Sequence, residues 1–309
     1  MNFPGFFRAA GIIALVTAAS AQTSIIDDVR TAIRNQDLAG AERLARASLA
    51  GGRAPAPALE ALSWIARGAL ATGQLQTADR VALDTEAHVE SVLKTRPLDA
   101  DSHLPLALGA ALEVQAQVLT AQGNRGDAVY LLTRALERYG ATSVQARLQK
   151  NLHLLSLVGK RAIPLDTGEF LDASRAPQAL SGRPHLLFFW AHWCSDCKAQ
   201  GAIIKELVAE FAADGLALVA PTQRYGYVGA RDVSPREERR HIATTRREFY
   251  DFLADVSVPM SADNFKNYGV SSTPTLVLVD RAGIVRLYNP GTMPTPALRA
   301  ALRALVAGS

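Results

Sequence analysis

From Ser24 to about Val158 apolar residues recur three and four positions apart, as at Leu38, Ala41, Leu44, Ala45 and Leu49. That spacing lines one face of a 3.6-residue helix and predicts helix after helix. Glycine or proline stops divide the run at Gly51-Gly52 with Pro55 and Pro57, at Thr72-Gly73, Arg96-Pro97, Gln122-Gly123 and Tyr139-Gly140. After Gly159-Lys160-Arg161 the period changes. Ile163–Phe170 reads as a short hairpin around Asp166-Thr167-Gly168, and Pro184–Trp190 as a buried strand. Ala199–Ala213 is helical, with Ile203, Ile204, Leu207, Val208 and Phe211 on one face and a stop at Asp214-Gly215. Leu216–Ala220 is a second buried strand, and Thr275–Asp280 and Ile284–Tyr288 flank Arg281-Ala282-Gly283 as a hairpin. A last helix opens at Thr295-Pro296, with Thr295 as cap and Leu298, Leu302, Leu305 and Val306 facing inward. Strand, helix, strand, hairpin and helix make an α/β unit around a central sheet. The chain thus divides into an all-α domain, residues 22–158, and an α/β domain, residues 159–309.

Three stretches of the helical half look alike: Asp37–Ala47, Gln74–Asp84 and Asn124–Ala135. Each is a short polar turn followed by a helix with alanine at the fifth or sixth place, which lets a neighbouring helix approach closely. They resemble tetratricopeptide-type hairpins, whose period is about 34 residues. Offsets of 37 and 50 make the register irregular, and a non-repeating helical bundle is the competing reading.

The start of the chain bears on compartment. Arg8 is the only charge in the first 26 residues, and it precedes the apolar run Ala9–Ala19 and the small-residue exit Ala19-Ser20-Ala21. A basic start, short apolar stretch and Ala-x-Ala exit predict a secretory signal peptide over residues 1–21. The run is shorter than the roughly 20 residues of a membrane span, and no later segment is expected to cross a bilayer. The expected location is periplasmic, with an uncleaved N-terminal anchor as the alternative. Of 309 residues 49% are hydrophobic and 20% charged, with a net charge of +4, an ordinary globular balance. No basic run interleaved with aromatics points to nucleic acid, and no phosphate-cradling glycine motif implies a nucleotide cofactor; no cofactor is expected.

Only two cysteines are present, Cys194 and Cys197. A bond between them closes almost no loop and would stabilise little, so the pair is better explained by chemistry than by folding. It sits where the strand ending at Trp190 gives way to a helix. There, unpaired backbone N–H groups and the helix dipole favour a thiolate at Cys194, and Cys-x-x-Cys thiols in such places have lowered pKa values. Cys197, three residues on, shares the helical face and can attack a mixed disulfide formed by Cys194. The expectation is that Cys194 is the nucleophile and Cys197 the resolving thiol. A structural zinc needs four ligands; with no second cysteine pair and scattered histidines, no metal site is expected. Two thiolates do suit Cu(I), which leaves copper handling as an alternative.

The run Phe189–Cys197, with its Phe-Trp-Ala-x-Trp-Cys-x-x-Cys pattern, resembles the active site of thioredoxins, and its surroundings from about residue 160 to 309 resemble the TlpA-like exported thiol-disulfide oxidoreductases. The resemblance implies a thioredoxin-like fold and a cis peptide bond at Thr273-Pro274 facing the dithiol, which frees the preceding backbone to pair with a substrate chain. Trp193, Thr273 and Pro274 are then candidate substrate contacts. Trp190 is expected to pack beneath the dithiol, and His192 to be exposed beside it or, when charged, to support the thiolate. The sequence also departs from the family. Phe188 stands where many thioredoxins carry a buried acid, six residues before the first cysteine. Asp196 replaces the usual proline; it either takes over the proton-accepting role or raises the neighbouring thiol pKa values. An anion beside a thiolate argues against a strong oxidant, so a disulfide reductase acting on exported proteins is the expected function. Its partners would be exported proteins with disulfides or thiols and a membrane or periplasmic thiol electron donor, with the N-terminal helices choosing the client. The alternative is a partner-docking protein with incidental redox activity. Pro221–Met260 is longer than the plain fold requires; its Thr222–Gly229 stretch is a candidate substrate rim and Arg236–Leu253 a charged helix with a solvated face.

Overall fold

The structure is a computed structural model describing residues 24–50, 54–172 and 179–308. The expected signal peptide, residues 1–21, and the Gly51-Gly52 break lie outside the described residues.

Among the described residues of the first half, seven α-helices follow one another: α1 (Ile25–Arg34), α2 (Leu38–Leu49), α3 (Ala56–Ala71), α4 (Leu75–Leu93), α5 (His103–Ala121), α6 (Arg125–Tyr139) and α7 (Gln145–Ser156). Short polar caps start several of them. The Ser24 hydroxyl accepts the Asp27 N–H at 3.2 Å, and the Asp37 carboxylate accepts the Gly40 N–H at 2.7 Å, each satisfying an otherwise orphaned donor. Each helix packs on the next, and α1, α3, α5 and α7 also pack on one another in series. The alanines of the three similar stretches, Ala41, Ala78 and Ala128, are fully buried; a larger side chain at any of them would push its helix off its neighbour. Contrary to the sequence-based expectation, α5 is long and apolar enough to cross a bilayer by length and composition. Its apolar girth has another outlet, since it is packed against α3, α4, α6 and α7 and a core helix passes the same test.

The second half is built on a four-stranded sheet. Strand β1 (His185–Phe189) leads to α8 (Ser195–Glu210) and β2 (Ala217–Val219). A two-residue ribbon follows, β3 (Tyr227–Val228) with β4 (Arg231–Asp232), and then α9 (Pro235–Phe249) and α10 (Ala262–Asn267). Strands β5 (Thr275–Val279) and β6 (Val285–Pro290) and helix α11 (Thr295–Ala307) complete the fold. The sheet order is β2-β1-β5-β6, with β1 parallel to β2 and antiparallel to β5, and β5 antiparallel to β6. Every residue of β1 is buried, as a strand covered on both faces must be. Along β1 and the residue after it, side chains alternate between two cores: Leu186, Phe188 and Trp190 pack with α8 and α11 residues, while Leu187 and Phe189 pack with Phe265, Tyr268 and Val277.

Several expected elements are corrected. Ile163–Phe170 is not a hairpin but an arm whose ends bridge elsewhere, Arg161 to Ile284 and Phe170 to Pro259. Asp166 is held instead by Asn264: its N–H donates to Oδ1 at 2.7 Å, and its carbonyl accepts from Nδ2 at 2.9 Å. Helix α8 starts at Ser195, four residues before the expected Ala199, because Cys194 caps it. Helix α9 stops at Phe249 rather than Leu253, since Tyr250 leaves helical geometry at φ −136° and ψ 52°. Pro294, not Thr295, is the cap residue of α11.

The two halves meet at α7, which packs on α10 and β6. The His153 Nε2–H donates to the Asn267 carbonyl at 2.8 Å, and the imidazole stands edge-on to Tyr288. Gly269, at φ +63°, lies so close to α7 that a Cβ there would sit 2.3 Å from the Lys150 nitrogen.

Candidate active site

Strand β1 delivers the chain to the site with little freedom. The Trp190 N–H donates to the Pro221 carbonyl at 3.2 Å, and its indole N–H to the Ala220 carbonyl at 3.1 Å. The Thr222 hydroxyl donates to the Trp190 carbonyl at 2.9 Å. With Trp190 anchored, the turn Ala191–Trp193 brings Cys194 to the N-cap of α8 in extended geometry, φ −81° and ψ 109°. Its Sγ accepts the Cys197 N–H at 3.0 Å, which is where a helix end leaves a donor free for an anion. The two sulfurs form a disulfide, with Cys194 4% exposed and Cys197 fully buried. Facing them is the segment Ser271–Pro274. The Thr273–Pro274 bond is cis, and the Thr273 carbonyl oxygen lies 3.4 Å from Cys194 Sγ. Ser271 and Ser272 are exposed, while Pro274 is buried. The structure thus brings Cys194, Cys197, Thr273 and Pro274 together across a separation of 79 residues between Cys194 and Thr273.

Trp193 is 48% exposed and sets its edge against Tyr225 at 5.4 Å. His192 is not exposed, as expected, but buried at 3%. Its Nε2–H donates to the Glu238 carboxylate at 3.3 Å, and it stands edge-on to Tyr225 and His241. Burial, reinforced by the nearby His241, holds its pKa below the ordinary imidazole value against the pull of Glu238. Glu238 itself, fully buried on α9, also accepts the N–H groups of Tyr225 at 2.6 Å and Gly226 at 2.9 Å. It ties together the motif, the loop after β2 and α9, so Glu238 leaves the solvated face expected for the charged run of this helix. A helical phase shared with Ile242 and Thr245, both buried, was the available sign.

Comparison with known proteins finds a match within the second half of the chain. The family model described as a thioredoxin-like domain matches residues 172–305. The C-terminal half is a thioredoxin-like domain. Over 116 residues, 38% of the chain, it is 30% identical to the thioredoxin-like protein YneN of Bacillus subtilis (strain 168), covering 61% of that protein. Over 142 residues, 45% of the chain, it is 27% identical to the thiol:disulfide interchange protein DsbE of Xylella fastidiosa (strain 9a5c), covering 64% of it. The chain therefore spans less than two thirds of the length of either curated relative. Among solved structures, a thiol-disulfide isomerase from Corynebacterium glutamicum is 15% identical with a TM-score of 0.39, the match covering 49% of this chain and 98% of that one.

Within this thioredoxin-like domain the position of the missing buried acid is filled by apolar packing. Phe188 is fully buried and meets the Tyr250 ring edge-on at 6.0 Å, and Tyr250 in turn lies 4.8 Å from Trp190. Burial pushes the Tyr250 phenol well above its ordinary pKa, so it stays protonated. Asp196 is exposed in the first turn of α8. Among the described residues no group of three or more His, Cys, Asp or Glu side chains gathers as a metal-binding set.

Proposed function

We propose that this protein is a disulfide reductase acting on exported proteins. The carrying observation is the asymmetry of the dithiol: the Cys197 N–H points at Cys194 Sγ from the N-terminus of the 16-residue α8, while Cys197 itself is sealed from solvent. In the reduced protein that donor and the helix dipole stabilise a Cys194 thiolate. The thiolate attacks one sulfur of a client disulfide; the S–S bond breaks, the partner sulfur leaves as a thiolate and takes up a proton, and a mixed disulfide forms. Cys197, deprotonated, attacks Cys194 Sγ and releases the second client thiol. Two electrons pass to the client, and the Cys194–Cys197 disulfide awaits reduction by an external thiol donor in the membrane or periplasm. The cis Pro274 leaves the Thr273 backbone free for the client chain, and the exposed face of Trp193 offers it apolar contact. Asp196 favours the reducing direction, because an anion in the first turn opposes the thiolate that a strong oxidant must stabilise. The basic, apolar and small-residue order of residues 1–21 supports export to the periplasm.

The test is insulin reduction by the full chain with a dithiol donor. Activity should be abolished in Cys194→Ser, and Cys197→Ser should accumulate client mixed disulfides resolvable on non-reducing gels. Turnover equal to that of Cys194→Ser would refute the reading, and a potential near that of strong oxidants, about −120 mV, would reverse its direction.

A further inference from the structure

Between the two halves lies a cleft of about 800 Å³. Arg67 from α3, Glu113 from α5, and Arg147 and Lys150 from α7 line one wall; Ser271 and Ser272 line the other. Thr273, the next residue, is the one whose carbonyl meets Cys194 Sγ at 3.4 Å, and one peptide advances the chain by about 3.8 Å. The cleft therefore opens one residue from the dithiol. Its charge is unbalanced. Glu113 Oε2 already accepts from Arg147 Nε at 2.9 Å, from Lys150 Nζ at 3.4 Å and from Asn151 Nδ2 at 3.2 Å. Asp99 also lines the cleft and accepts the Ser143 N–H at 3.2 Å, so three cations there face two carboxylates. Among the described residues no carboxylate lies within ion-pair distance of Arg67, whose guanidinium rests on the Trp64 ring at 4.4 Å. Burial and the charges of Arg147 and Arg30 push its pKa down against the pull of Glu113, as befits a cation with more like charge than counter-charge around it.

We propose that this cleft binds a carboxylate side chain of the client polypeptide, a few residues from the client's reactive cysteine, so that the helical half selects acidic segments for the dithiol. The inference rests on the thiol–disulfide reading above and adds the client's chemistry to it. A client chain lying along Ser271–Thr273 passes directly into the cleft, and the serines leave its path open. The half-buried setting strengthens the attraction relative to open water, and it steers encounter as well as binding.

The experiment uses the reduced full chain and three cysteine peptides, each capped as a thiopyridyl disulfide. They differ only in carrying Glu, Gln or Lys three residues from the cysteine. Release of thiopyridone reports attack. The Glu peptide should react about tenfold faster than the Lys peptide at low salt, an advantage that shrinks as ionic strength rises. Arg67→Gln, which keeps an alkyl stem on Trp64, and Lys150→Gln should each cut the preference severalfold while leaving the rate with uncharged dipyridyl disulfide unchanged. Equal rates for the Glu and Lys peptides, or a preference that survives in both variants, overturns the cleft proposal alone. Failure to react with dipyridyl disulfide overturns the dithiol reading, and the cleft proposal with it.

Discussion

Glu238 belongs to the charged run Arg236–His241, yet its carboxylate is fully buried and accepts from two backbone N–H groups and from His192. A buried carboxylate is tolerated only with such a set of donors, and these donors lie on the turn before Cys194 and the loop after β2. A hydropathy pattern can place Glu238 on the inner stripe of its helix, but not name its partners, which lie 12, 13 and 46 residues away. The same residue-scale burial makes a pH prediction. His153, His185 and His192 all have their pKa values pushed below the ordinary imidazole value of 6.5, each chiefly by burial. As pH falls through 6.5 the unfolded chain takes up protons that the folded protein resists. The stability these histidines contribute is therefore complete above pH 6.5 and lost below it, by up to about 1.4 kcal/mol per pH unit for each. Urea midpoints should be level from pH 8 to 7 and fall from pH 6.5 to 5.5; an unchanged midpoint across the lower range would contradict the argument.

The elements show where periodicity suffices. β1, β2, β5 and β6 and α11 lie where the apolar runs put them, and β1, β2 and β5 are buried along their whole length, as strands covered on both faces. Two departures from expectation rest on packing rather than on local pattern: Asn264 holds the Asp166 arm, and Tyr250 terminates α9 by turning into the core. That turn creates a tight seam under α8. A Cβ at Gly201 would lie 2.8 Å from the Tyr250 ring, which is itself wedged between Phe188 and Trp190. Gly201→Ala should therefore destabilise the protein by about 1–3 kcal/mol, despite alanine's better helix propensity. Thermal unfolding of the variant measures this, and a rise in Tm would mean that the aromatic seam yields.

Across the whole molecule, the helical half is seated on the thioredoxin-like half through α7. Gly269 permits the contact twice over, by its φ of +63° and by the absence of a side chain against Gln149 and Lys150. Gly269→Ala adds backbone strain to a clash with main-chain atoms, and should cost about 2 kcal/mol or more. Limited proteolysis should then separate the halves more readily than in the parent protein. Equal protease resistance and equal stability would show that the junction can shift without loss.

Thr273-Pro274 is implied by the resemblance to thioredoxins; the sequence by itself determined the helical run before the α/β run, the helices with their buried alanines, and the Cys194–Cys197 pair at a strand-to-helix junction. These are local patterns: hydrophobic period, turn residues and short spacings carry them. Only the tertiary structure decided that His192 is buried rather than exposed, that Glu238 is its partner, and that aromatic packing around Phe188 fills the place of the missing acid. It alone placed Ser271 and Ser272 across a cleft from Arg67, Arg147 and Lys150. Each of these depends on side chains brought together from distant positions, where burial and charge pairing arise from the packing of whole elements and leave no periodic trace along the chain.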